Sequence, residues 1–233
     1  MKYMGSKARI AKYLLPIILK DRKEGQWYVE PFVGGANMID KVEGKRIGAD
    51  LNEPLIACLD GLSKGWLPPK NISEEFFNKV KTDHSIVDSK TLGYIGTQLT
   101  FGAMWFSAYR KDKQGVRNYS DEAFRHVEKQ ATKLRGVRFE SCNYSVLEIP
   151  NNSIIYCDPP YTNTAKYKAV DDFDHAVFWQ WCRDMSNKGH QVFISEYNAP
   201  DDFECLWQKE IQSGLNTSST KKGIEKLFRY KAA

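Results

Sequence analysis

The residues with the clearest chemical meaning are Asp158-Pro159-Pro160-Tyr161, directly after the apolar run Ser153-Ile154-Ile155-Tyr156-Cys157. Two prolines donate no N–H and hold the backbone extended. The loop therefore offers only acceptors, the Asp158 carboxylate and the Pro159 carbonyl, beside an aromatic face. Such a loop suits a planar ring with an exocyclic amino group: each acceptor takes one N–H while Tyr161 stacks on the ring. An Asp-capped Pro-Pro turn is the plainer alternative. The strand before the loop favours a ligand, because α/β folds bind ligands beyond the carboxyl ends of their strands.

Three other spots have residue types that could meet a ligand. Val29-Glu30-Pro31-Phe32-Val33-Gly34-Gly35-Ala36 puts glycines right after a strand, where bare backbone allows close approach. Asp50 follows the next strand, 16 residues after Gly34, well placed to accept from ribose hydroxyls. It reads equally as the N-cap of a helix over Leu51 to Leu59. At the start, Gly5-Ser6-Lys7 sets an ammonium after a small turn, suited to a carboxylate ligand or to plain surface. His84, His126, His175 and His190 read as structural or surface residues, and no metal ligand set is expected. The five scattered cysteines lack the two-residue spacing of zinc or redox motifs and fit reduced thiols in a cytosol.

These residues need a scaffold. Residues 7–20 have helical spacing interrupted near Pro16. Gln26 to Pro31 reads as a buried strand running into the Gly-Gly turn, with a helix from about Asn37. Arg46 to Ala49 is a second strand ending at Asp50. After Asp60 the pattern is helical and turn-rich until Val137-Arg138-Phe139. Strand Ser153–Cys157, a helix over Phe173 to Met185 and strand Gln191–Ser195 follow. Alternating strands and helices on both sides of 60–136 predict an α/β, Rossmann-like parallel sheet. Residues 1–59 and 137–233 would form that domain, with 60–136 as a mostly helical inserted subdomain.

The 233 residues are 42% hydrophobic and 27% charged, which excludes wholesale disorder. Mean hydropathy is −0.54, and no apolar run is long enough for a signal peptide or membrane span. Net charge is +5 but uneven: residues 1–23 carry +6, 105–119 carry +3 and 221–233 carry +4, leaving −8 elsewhere. One such run is ordinary solvated surface; three make a polyanion partner plausible. In 105–119, Tyr109, Arg110, Lys113, Arg117 and Tyr119 interleave around a Lys-Gln-Gly turn, predicting a β-hairpin whose cations meet phosphates or base edges. Trp105 and Phe106 read partly as core.

As an ordered set these residues resemble the Dam-type (D12 class) N6-adenine DNA methyltransferases, in the motif order of the family's α group and over nearly the whole chain. Lys2-Tyr3-Met4-Gly5-Ser6-Lys7 is similar to the N-terminal cofactor motif, and Phe32-Val33-Gly34-Gly35-Ala36 to the Phe-x-Gly-x-Gly-type loop. Asp50 matches the ribose-binding acid, 60–136 the target-recognition region and Asp158 to Tyr161 the catalytic motif. Cys142-Asn143-Tyr144 departs from relatives, which often have an acidic residue there.

The resemblance implies an S-adenosylmethionine-dependent methyltransferase sheet and transfer of methyl to the N6 amino group of an adenine flipped out of duplex DNA. Lys7 would pair with the cofactor carboxylate, and Tyr3, Phe32, Gly34 and Gly35 would line its pocket. Asp50 would hold the ribose, and Asp158 would serve cofactor and base. Asp158, Pro159 and Tyr161 would be catalytic; no metal or obligatory protein partner is implied. The setting would be bacterial or phage-encoded cytoplasm.

Three rivals remain. Transfer to cytosine N4 uses the same acceptor logic, although Asp rather than Ser at 158 favours adenine. A silent DNA-binding protein on the same scaffold would not need Lys7, Asp50 and Asp158. A nucleotide-dependent dehydrogenase shares the glycine turn and acid but leaves Asp158 to Tyr161 without a role.

Overall fold

The computed structural model describes residues 1–112, 114–161, 173–212 and 222–231. Its strands are β1 (Tyr28–Glu30), β2 (Arg46–Asp50), β3 (Val137–Ser141), β4 (Ile154–Cys157), β5 (Gln191–Glu196), β6 (Phe203–Gln212) and β7 (Lys222–Tyr230). They form one seven-stranded sheet in the order β3-β2-β1-β4-β5-β7-β6. The pairs β2–β3, β1–β4 and β4–β5 are parallel, and β7 pairs antiparallel with β5 and β6. The 3-2-1-4-5 run is that of a Rossmann-like α/β sheet; an antiparallel hairpin stands where a sixth parallel strand would be. β1 and β4 are buried at every residue; β4 accordingly reads as a continuous apolar run, while β1 buries Glu30, which accepts the Tyr28 hydroxyl.

The chain divides into two compact units, residues 1–11 with 32–147 and residues 12–31 with 148–233. In the first, β2 and β3 accompany α2 (Glu53–Ser63), α3 (Glu74–Thr82), α4 (Ser89–Gln98) and α5 (Tyr119–Leu134). Each helix starts on a side-chain cap: Asn52, Ser73, Asp88 and Asn118 accept the N–H of Leu55, Phe76, Thr91 and Asp121. A cap of this kind contributes about 1 kcal/mol. Helix α4 lies so close to α2 that a Cβ at Gly93 would overlap the Pro54 carbonyl oxygen. Leu55, Leu59, Phe77, Tyr94, Val127 and Leu134 are core residues of this unit.

The second unit holds β1, β4, β5, β6, β7 and α6 (His175–Asn187), together with most of α1 (Ala11–Ile18), which carries Pro16 within it. Phe178, Cys182 and Met185 lie on the buried face of α6 at helical spacing.

Two expected elements differ. No α-helix starts near Asn37; the segment makes only a 3₁₀ turn, Ile39–Lys41. Two of its carbonyls are shared between backbone and side chains: Ala36 O accepts from Asp40 N–H and from Gln130 at 3.1 Å, and Ile39 O from Val42 N–H and from Arg46 at 3.3 Å. The hairpin over 105–119 is absent among the described residues, and the pairing there is an isolated bridge between Thr100 and Tyr109. The Asp112 carboxylate accepts the N–H groups of Val116 and Arg117, at 2.9 and 3.0 Å. That local side-chain pairing substitutes for a ladder. Among the described residues, no helix is long and apolar enough to cross a membrane.

Candidate active site

In the first unit, the loop after Phe32 and the end of β2 are tied together. Gly34 N–H donates to Asp50 Oδ2 at 3.1 Å, and Asn52 N–H to Oδ1 at 3.0 Å. Burial raises the Asp50 carboxyl above its ordinary value, and the two amide bonds oppose that rise. The cap of α2 is Asn52, so Asp50 is not the helix cap that its position allowed.

Tyr3 lies against the glycines. A Cβ at Gly34 would come within 2.7 Å of the Tyr3 ring, and one at Gly35 within 2.6 Å of Tyr3 Cβ. The glycines thus make room for an aromatic ring of the chain itself. Gly34 has a φ of 45° and Ala36 one of 56°, so the loop enters the left-handed region at a residue with a Cβ. Lys7, buried, heads the 3₁₀ turn Lys7–Arg9 capped by Ser6, and its Nζ donates to Gly5 O at 3.2 Å. The Phe32 ring packs on Tyr144, centroids 5.2 Å apart.

Sequence reasoning missed Gln130, on α5, whose Nε2 donates to the carbonyls of Gly35 and Ala36, 3.1 Å each. It also missed Asn37, whose Nδ2 is buried without a hydrogen-bond partner among the described residues. A glutamine inside an otherwise apolar helix face (Phe124, Val127, Ala131, Leu134) was the available signal for Gln130.

In the second unit, Asp158 and the buried Pro159 follow β4 directly. Tyr161 donates its hydroxyl to Glu225 Oε2 on β7 at 2.7 Å, and its ring meets Tyr197 edge-on at 4.7 Å. Burial, with the negative charges of Asp158 and Glu225, pushes the Tyr161 hydroxyl well above its usual range, so it stays a donor. Two neighbours thus fix this ring in plane and rotation. Glu225 lies 64 residues from Tyr161 and nothing in its sequence context marked it.

The residues of 105–119 are placed unevenly. The Arg110 guanidinium lies 3.8 Å from the Tyr119 ring centroid, and its buried Nη1 has no hydrogen-bond partner among the described residues. Arg117 lies 4.9 Å from the same ring and pairs with Glu122 at 2.8 Å. Tyr109 packs on Phe77 and donates to Ile72 O at 2.6 Å, which anchors the loop on the first unit's helices. Phe106 is buried against Phe77 and His84, while Trp105 is half-buried. Lys113 lies outside the described residues.

Among curated proteins, none matches the chain. Solved structures align with the chain at low similarity, two of them as follows. One is described as a class I S-adenosylmethionine-dependent methyltransferase from Listeria monocytogenes, at 9% identity and TM-score 0.42, covering 99% of this chain and 61% of that one. The other is described as a methyltransferase complexed with SAH, at 12% identity and TM-score 0.37, covering 97% and 53%. The chain thus spans about three fifths and about half of their lengths. Residues 3–95 match the family model described as D12 class N6 adenine-specific DNA methyltransferase. That matched stretch carries Tyr3, Lys7, Gly34, Gly35 and Asp50 and is similar to the family over those residues.

Proposed function

We propose that the protein transfers a methyl group from S-adenosylmethionine to the N6 amino group of an adenine flipped out of a specific short sequence in duplex DNA. The observation that carries the reading is the acceptor-only loop Asp158-Pro159-Pro160 directly after β4, beside a Tyr161 ring held by Glu225.

The chain's groups fit the methyl donor. Gly34 and Gly35 seat the Tyr3 side chain as one surface, Asp50 is an acceptor for hydroxyls, Lys7 is a buried ammonium, and Asn37 Nδ2 is a donor without a partner among the described residues. When bound, the donor supplies an electrophilic methyl on a sulfonium.

The chain's own task is to bind, orient and stabilise charge. An adenine amino nitrogen is a poor nucleophile because its lone pair is delocalised into the ring. Hydrogen bonds accepted from its two N–H groups by the Asp158 carboxylate and the Pro159 carbonyl favour a pyramidal nitrogen and stabilise the positive charge that develops as the methyl leaves sulfur for nitrogen, before one N–H proton is lost. Tyr161 stacks on the base and offsets part of the unstacking cost of a few kcal/mol. Arg110 and Arg117, which both lie near the Tyr119 ring, are the proposed DNA contacts, alongside Tyr109, Lys113 and Tyr119. Residues 60–136 are proposed as the recognition subdomain and 1–59 with 137–233 as the catalytic domain, acting on DNA in a cytoplasm.

The test is incubation with unmethylated plasmid and S-adenosylmethionine, followed by nucleoside analysis. N6-methyladenine is expected; N4-methylcytosine would transfer the reading to the other exocyclic amine, and absence of methyl transfer would end it.

A further inference from the structure

Two glutamines of the first unit are almost fully buried, Gln98 at 2% and Gln130 at 4% exposure. Gln98, at the end of α4, accepts the Lys2 N–H at 2.9 Å and donates back to the Lys2 carbonyl at 2.9 Å. That two-bond clasp imitates a neighbouring strand and fixes the backbone immediately before Tyr3. Gln130, on α5, donates to the carbonyls of Gly35 and Ala36 and accepts from the Met1 amine. Between the two clasps the Tyr3 side chain lies on Gly34 and Gly35, closer than any Cβ would permit. A helix face that only needed packing would take Leu or Met, since a buried amide is costly unless its hydrogen bonds are made. Here the amides bond the backbone on either side of one ring-on-loop contact.

We propose that Gln98 and Gln130 are positioning residues for the methyl donor, holding the Tyr3 segment and the Gly34-Gly35-Ala36 loop as one preformed binding surface. The proposal rests on the reading of Tyr3, Gly34 and Gly35 as donor-binding residues. It gives the helices of 60–136 a second task besides DNA recognition, because α4 and α5 supply both clasps. Preorganisation of this kind lowers the ordering cost of binding and acts on affinity.

The experiment is calorimetric titration of S-adenosylmethionine into the whole protein, with duplex DNA affinity measured in parallel by anisotropy without the donor. Gln98→Met and Gln130→Met should each raise the donor dissociation constant about tenfold or more, with DNA affinity changed less than about twofold. Gln98→Asn keeps the amide but shortens its reach by one methylene, so it should likewise weaken donor binding and stands in if Gln98→Met does not fold. In a Tyr3→Ala background, Gln98→Met should add less than about a twofold further effect. Unchanged donor affinity in both Met variants, or equal losses toward donor and DNA, would overturn the proposal. If the unaltered protein binds no donor, the cofactor reading itself falls and takes this proposal with it; binding by wild type and variants alike defeats the proposal alone.

Discussion

Both oxygens of Asp50 are engaged by backbone, Oδ2 by the Gly34 amide at 3.1 Å and Oδ1 by the Asn52 amide at 3.0 Å. One carboxylate thereby joins the glycine loop to the end of β2 while keeping lone pairs for further donors. It shapes the loop in addition to its proposed ligand contact.

Asp50→Ala is therefore expected to act twice. Losing a charged acceptor for two hydroxyls should weaken S-adenosylmethionine binding by roughly 10–100-fold, and the orphaned amides should cost about 1–3 kcal/mol of stability. Calorimetry and urea unfolding read the two effects separately. The pH dependence has a defined sign. The folded carboxyl titrates above its ordinary 3.8, so the unfolded chain ionises first as pH rises. Stability should then fall as pH rises from 3.8 through the folded value, and Asp50→Asn should remove that slope.

Ala36 has a φ of 56° where glycine would be unstrained. The left-handed region costs an L-residue about 1–2 kcal/mol, and glycine's freedom in the unfolded chain costs about 0.4–1. Ala36→Gly should stabilise the protein by up to about 1 kcal/mol, seen as a higher urea midpoint with unchanged slope. A lower midpoint would mean that the Ala36 methyl packs too well to lose.

Much of the fold is legible in the sequence. β4 and β5 are buried and rich in Ile, Val, Tyr and Phe, while β1 and β2 are short buried segments that end at Glu30-Pro31 and at Asp50, so burial-type residues and strand ends mark them. The glycine loop and Asp50 are legible as a pair because each ends a strand. The features that local pattern misses involve side chains from elsewhere: Gln130 and Arg46 donate to carbonyls of the segment around Asn37, and Asp112 takes the amides of Val116 and Arg117 where a hairpin was expected. The Tyr161–Glu225 bond spans 64 residues, and no local pattern encodes such a pairing.

Arg110 and Arg117 share the Tyr119 ring but differ in commitment. Arg117 is paired with Glu122 at 2.8 Å, so contact with a phosphate must break that pair. Glu122→Gln should free the guanidinium, raise DNA affinity and steepen the logarithmic salt slope by about 0.9 for one added phosphate contact. Arg110→Ala should cost about 1–3 kcal/mol of DNA binding if it reads a base edge. Anisotropy titrations across a salt series test both; wild-type behaviour in both variants would remove this segment from the interface.

His190 accepts the Ser153 N–H through Nδ1 at 3.1 Å, which requires the neutral ring. Burial, assisted by the Lys188 charge, lowers its titration below 6.5. Below 6.5 the unfolded chain takes up a proton that the fold resists, so stability should decline as pH falls from 6.5 toward the folded value. Urea midpoints in that range should flatten in His190→Asn; an unchanged slope would refute the assignment.

The central claim is that Asp158 receives the amino group of the target base. Asp158 is only partly buried, outside the fully buried β4, so Asp158→Ala should leave the fold intact. It removes an acceptor whose interaction strengthens as the nitrogen becomes cationic, so the loss belongs in turnover. Transfer of labelled methyl from S-adenosylmethionine to unmethylated duplex DNA, with N6-methyladenine counted, is the direct measurement. Asp158→Ala should be slower by at least about 10²–10³-fold while melting like the wild type. Near-normal N6-methyladenine formation by the folded variant would contradict the account.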